Sequence, residues 1–116
     1  MAGGAAGRER RLCAEPGPGL ARDFGLCGQV QRAAVSMMSN VAEGFERIHL
    51  QEKLQFYNVA RGSSAEVRSL LYVAEDNYPS LAEQSASLRK DVVRAGKLIT
   101  GLIQSTQQRK QAQKNS

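Results

Sequence analysis

The sequence predicts an all-α fold, an antiparallel up-and-down helix bundle, on three grounds. Apolar residues recur at spacings of three and four along three long stretches, the mark of one helical face. Aromatic residues make up 5 % of the chain and Trp is absent. The core must then come from Leu, Val, Ile, Ala and Met, which suit helices better than sheets. The stretches are separated by very short connections, and helices joined so tightly run antiparallel to their neighbours. A length of 116 residues is one domain's worth.

The first helix is expected from about Leu26 to Arg47, with the rest of the chain as its partners. Val30, Ala34, Met37, Val41, Phe45 and Ile48 form its stripe, and Ala33, Ser36, Ala42 and Gly44 form small shoulders. Gly44 costs about 1 kcal/mol against Ala inside a helix. A close helix crossing, where a Cβ would clash, is the expected compensation.

The second helix is expected from about Leu50 to Asn77. Phe56, Ala60, Ser63, Val67, Leu70 and Ala74 give one stripe. Leu54, Tyr57, Ala65, Leu71 and Tyr78 fall on neighbouring faces, and Val59 and Val73 are also apolar. A helix greasy on more than one side is either central or part of an oligomer interface. Gly62, Ser63, Ser64 and Ala65 predict a close crossing with the first helix. Pro79 ends the helix and pushes Tyr78 toward extended geometry.

The third helix is expected from about Ser80 to Gln107. Ser80 with Glu83 reads as a capping box. Leu81, Ser85, Leu88, Val92, Ala95, Ile99 and Leu102 alternate four and three without a break. Lys90, Arg94 and Lys97 fall on the opposite, solvent-facing side.

Three segments result. Residues 1–19 are Gly/Pro-rich and expected to be poorly structured. Residues 20–107 form the bundle, onto which Leu20, Phe24 and Leu26 dock at its start. Residues 108–116 read as a basic, disordered tail. The net charge of +5 sits mostly in the last eleven residues, where Arg109, Lys110 and Lys114 face no acid. A sequence pI near 9.6 is therefore a weak argument for a nucleic-acid-binding body. No stretch is long and apolar enough to span a membrane, and the N-terminus lacks an apolar signal core. With Cys13 and Cys27 read as thiols in a reducing compartment, the expected location is the cytoplasm.

Chemistry is thinly represented. The lone histidine, His49, lies in the first turn with no partner at metal-ligand spacing. No glycine-rich phosphate loop is visible. Glu43 and Glu46 share a face beside Gly44, but solvated helical carboxylates need no catalytic account. The expectation is a non-enzymatic protein without metal or cofactor. Two polar features stand out. Asn40, Glu43, Gly44, Arg61, Gly62, Ser63 and Glu66 lie at similar heights of the first hairpin, and an Arg61–Glu43 pair with Asn40 nearby is expected to fix register. Lys90, Arg94 and Lys97, extended by Arg109 and Lys110 if the helix continues, and joined by Arg32, make basic faces suited to phosphates. No aromatics interleave them, so base stacking is not supported.

The run GLCGQVQRAAVSMMSNVAEGFER, followed by LQFYNVARGSSAEVRSLL, resembles the bacterial four-helix-bundle family first noticed within 23S ribosomal RNA intervening sequences. The matching positions are Gly25, Leu26, Gln29, Arg32, Ala33, Ala34, Val35, Ser36, Asn40, Ala42, Glu43 and Gly44, then Ala60, Arg61, Gly62, Ser63 and Glu66. Gln31 stands where the family has Arg. The resemblance covers about residues 20–107. It implies an antiparallel four-helix bundle, a homopentamer around a central channel, and no known enzymatic activity. A related branch, the accessory proteins of diversity-generating retroelements, is basic and binds reverse transcriptase and nucleic acid. The family opens with an amphipathic helix bearing a Val-Trp pair and a Pro-x-x-Glu turn. Residues 1–19 contain neither, so the first helix is expected to be degenerate or missing, from a different start or a shifted frame. The functional expectation is a self-assembling bundle that binds RNA or DNA through basic faces. Its rival is a protein–protein interaction scaffold with no nucleic-acid role.

Overall fold

A computed structural model describes residues 24–115 of the chain. The described residues form α1 (Phe24–Glu46), α2 (Leu50–Asn77), a 3-10 turn (Pro79–Leu81) and α3 (Ala82–Asn115). No strand occurs among them, and the all-α expectation holds. They supply three long helices. The expectations for residues 1–19, for Cys13, and for docking by Leu20 and the Phe24 side chain fall outside the described residues.

The helices run up, down and up, with α2 in the middle. The connection after Glu46 ends at His49, whose extended backbone (φ −79°, ψ 131°) starts α2 without a side-chain cap bond. The second connection is tighter. Tyr78 is driven out of the helical region (φ −132°, ψ 74°) by the ring of Pro79 behind it. Its N–H still reaches the Ala74 carbonyl at 2.8 Å, and its carbonyl accepts from Leu81 N–H at 2.9 Å. Ser80 therefore lies inside a 3-10 turn, and the expected Ser80–Glu83 capping box is corrected. The proline-led turn takes up the position the cap would need.

Burial explains the order. At one end Leu26, Val30, Ala33 and Ala34 of α1 meet Val67, Leu71 and Ala74 of α2 and Leu88 and Val92 of α3. Toward the other end Met37, Leu54, Tyr57, Ala60, Ile99 and Ile103 form a second cluster. Each fully buried aliphatic side chain is worth about 1.5–3 kcal/mol over exposure. Leu71, with no exposed surface, is a central contributor. Helix α2 buries two faces, as its double stripe requires of a central helix.

Two expected core members are not core. Phe45 is 54 % exposed and Ile48 87 % exposed. Ile48 follows the last residue of α1, so helical periodicity no longer aims it. Phe45 lies edge-on to the Tyr57 ring, centroids 6.0 Å apart at 73°, and shows its other face to water.

The end of α3 differs too. The helix runs on through Asn115, past the Gln107 expected from the loss of the apolar stripe. Residues 108–115 hold Gln, Arg, Lys, Ala and a final Asn, with neither Gly nor Pro, so propensity favours a continued helix. Buried Ile103 and Thr106 anchor the preceding turns, and the Lys110 ammonium donates to the Gln51 side-chain carbonyl.

Candidate functional site

The α1–α2 crossing is made of small groups. Gly44 is buried, and a Cβ there would fall 2.3 Å from Tyr57 Cε1. The ring takes the space a side chain would occupy, so the expected crossing at Gly44 is present. Further along, Ser36 Oγ and Ser63 Oγ share a hydrogen bond of 2.8 Å. Asn40 Nδ2 donates to the Ser36 carbonyl at 2.7 Å and to Ser36 Oγ at 3.2 Å. Lys53 Nζ closes the end of α1, donating to the carbonyls of Gly44 at 2.9 Å and Phe45 at 3.2 Å. A cation at a helix C-terminus meets both orphan carbonyls and the negative end of the dipole.

The Arg61–Glu43 pair does not form. Glu43 bonds Arg47 one turn on, at 3.0 Å, and Arg61 donates to Asn58 Oδ1 at 3.1 Å. Ser64, three residues on from Arg61, approaches Gly96 of α3: a Cβ at Gly96 would lie 3.3 Å from Ser64 Oγ. Arg61 therefore projects from the α3 side of α2, away from α1. Glu66 is exposed. Gly62 is exposed as well, and a Cβ there meets nothing within 4 Å. The crossing uses Ala60, Ser63 and Val67 instead.

The α2–α3 junction is held by charge, and this clamp is missing from the sequence expectations. Arg89 Nε donates to Glu75 Oε1 at 2.7 Å and Nη2 to Oε2 at 3.2 Å. Its Nη1 reaches the Tyr72 hydroxyl at 3.1 Å, and the guanidinium lies 4.2 Å over the Tyr72 ring. Ser85 Oγ donates to the Leu71 carbonyl at 3.0 Å in a buried position. The Arg89 hydrogen bonds hold the Glu75 carboxyl below its ordinary range, against the opposing effect of burial. The same bonds raise Arg89. The available signal is a hairpin centred on Pro79, which brings Glu75 and Arg89 to facing helices at similar height.

Burial pushes the Tyr57 phenol up, and the charge of Arg109 partly opposes it. Arg109 is thereby placed near the start of α2. Lys110, turned toward Gln51, leaves the expected basic stripe. It continues the buried seam one heptad after Ile103. Lys90, Arg94 and Lys97 are all exposed, opposite that seam. Arg94 lies 4.0 Å from Asp91, its own side chain 77 % exposed. Arg32 is exposed at an open groove of about 380 Å³ lined by Gln31, Arg32, Val35, Ser36 and Ser39. These five residues offer one cation and no carboxylate, which gives no acid–base pair. Among the described residues no cluster of His, Cys, Asp and Glu could hold a metal ion. No helix there is long and apolar enough to cross a membrane.

The model of the 23S rRNA-intervening sequence protein family matches residues 18–101. The chain belongs to that family. The match takes in α1, α2 and the turn between α2 and α3, and ends at Gly101 within α3. The remainder of α3, with Arg109 and Lys110, lies beyond it in this member of the 23S rRNA-intervening sequence protein family. No curated protein and no solved structure gives a significant match.

Proposed function

We propose that this family member is a non-enzymatic helical bundle that assembles with copies of itself and carries nucleic acid on its basic faces. The observation behind the assembly is surface chemistry. Val35, Phe45, Ile48, Val59, Tyr72, Val73 and Leu98 are large apolar side chains left between 44 % and 87 % exposed. They are spread over α1, α2, α3 and the first connection. So much apolar surface on a small helical unit favours association. A homopentamer is the assembly that family resemblance suggests. Light scattering of the purified chain tests it: a mass of several chains is expected, and a monomer at all working concentrations overturns it.

The nucleic-acid part rests on Lys90, Arg94 and Lys97 sharing one exposed face. Arg32 and Arg109 are further cations open to solvent. Phosphate contacts of this kind are indifferent to sequence and sensitive to salt. Filter binding of generic RNA and DNA across a salt series should give a log–log slope of about −2 to −3 for three contacts. Absence of binding at low salt would leave the rival reading, an interaction scaffold for protein partners alone.

A further inference from the structure

Among the described residues, one outer face of α2 and one of α3 stand largely open to solvent, and they are complementary. On α2, Val59, Gly62, Glu66, Leu70 and Val73 recur at helical spacing along the outer side. Val59 is 52 % and Val73 44 % exposed, and the Cβ position of Gly62 is open. This face carries Glu66 and no cation. Arg61 and Arg68 project from the opposite side of α2, and Lys53 is engaged with the α1 carbonyls. On α3, Arg94, Leu98 and Gly101 form the outer face, with Lys90 and Lys97 on its rim. Leu98 is 56 % exposed, and the Cβ position of Gly101 is also open.

The heights agree as well. Within the chain, Ser64 of α2 is level with Gly96 of α3. In an antiparallel pair, each step back along α2 matches a step forward along α3. Gly62 is therefore level with Leu98, Val59 with Gly101, and Glu66 with Arg94. A rotation axis parallel to the helices moves a copy sideways without shifting it along its length, so these levels carry over to a neighbour. Val59 and Leu98 then each meet an open glycine, and the two opposite charges meet each other.

We propose that the outer face of α2 docks the outer face of α3 from a second copy of this chain, Leu98 entering at Gly62, Val59 at Gly101, and Arg94 pairing with Glu66. The contact is heterologous, and repeated about an axis parallel to the helices it closes a ring where the rotation per copy divides the full turn. It rests on the self-assembly reading above and adds where and how copies touch. In the assembly Arg94 leaves the phosphate face for this contact, while Lys90 and Lys97 stay on the rim and, with Arg32 and Arg109, remain open to phosphates.

Charge reversal tests the pairing in the full chain, by sedimentation equilibrium. Glu66→Arg and Arg94→Glu should each weaken association by about tenfold or more, since each sets like charges face to face. The double variant Glu66→Arg/Arg94→Glu should regain the wild-type association, because every contact in it is again opposite in sign. Gly62→Leu should weaken association while the circular dichroism spectrum stays helical, as the Cβ it adds meets nothing within 4 Å among the described residues. If the wild-type chain is a monomer, the self-assembly reading falls and this contact with it. If it assembles but the three single variants keep the wild-type association, the α2–α3 contact alone is overturned. An effect of Glu66→Arg without one of Arg94→Glu also overturns it, since that pattern belongs to α2 meeting α2.

Discussion

The two inter-helix junctions of this small bundle are fixed by different physics. At the α1–α2 crossing the decisive contacts are neutral and short: a glycine against an aromatic ring, two hydroxyls sharing a proton, an amide on a carbonyl. At the α2–α3 junction a guanidinium fork grips a carboxylate and lies over a tyrosine. The first is set by shape and answers to volume. The second is set by charge and answers to pH and salt. A chain with few aromatics and many small residues can afford the first solution wherever helices meet closely. It uses the second where longer side chains reach between helices.

The largest expected effect comes from volume at the crossing. Gly44→Ala should destabilise the fold by about 1–3 kcal/mol, because a Cβ at 2.3 Å from the Tyr57 ring forces a backbone or ring shift. Gly62→Ala, measured by thermal melts at concentrations where copies stay apart, should instead stabilise by about 1 kcal/mol through helix propensity. If both glycines respond alike, the crossing is not set by shape.

Next in size is the clamp. Arg89→Met should cost about 1–2 kcal/mol, since the Glu75 carboxylate, 16 % exposed, loses its charged donors. Arg89→Lys should recover only part of that loss, because an ammonium cannot reproduce the two-pronged grip. The wild-type contribution also depends on pH. The carboxyl of Glu75 is held below its ordinary value of 4.5, so the folded state favours the charged form. That stability is fully present above pH 4.5 and is lost as pH falls through the depressed folded value. Urea midpoints taken from neutral to acid pH should converge for wild type and Arg89→Met. A constant gap would show that the charge is not what the clamp uses.

Smaller effects finish the contrast. Ser63→Ala should cost about 0.5–1.5 kcal/mol, with no dependence on pH between 4 and 7. Lys53→Met should cost about 0.3–1 kcal/mol and show first as fraying of the last turn of α1, read by amide exchange at its end.

Much of this arrangement is legible in the sequence. Apolar spacing together with Pro79 places α2 at its observed ends, and the unbroken four-three alternation names Ser85, Leu88, Val92 and Ile99 as core. The stripe of α1 is right as far as Val41; it fails at Ile48, where the helix has stopped, and at Phe45, which lies in the last turn of α1 and covers only the edge of the Tyr57 ring. Gly44 is legible as a crossing because a glycine so deep in a helix needs a steric reason. Gly62 carries the same signal with no such contact inside the chain. Charge pairing is harder to read. Arg61 and Glu43 sit at matching heights but on unmatched sides, and Glu75 and Arg89 become neighbours only when the register across Pro79 is known. The nucleic-acid face is legible in outline. Lys110 drops out of it because, one heptad after buried Ile103, it falls on the seam and not on the face of Lys90, Arg94 and Lys97.

The lengths of the rods are unequal. Helix α3 has 34 residues against 23 in α1, about 51 Å against about 34 Å. Its closing turns overhang the loop joining its two companions, and the Lys110–Gln51 tie secures their base. A rod anchored at one end unwinds from the other. Deuterium uptake should therefore run as a gradient down α3, fastest near Asn115 and slowest around Val92, with Lys110 marking where protection sets in.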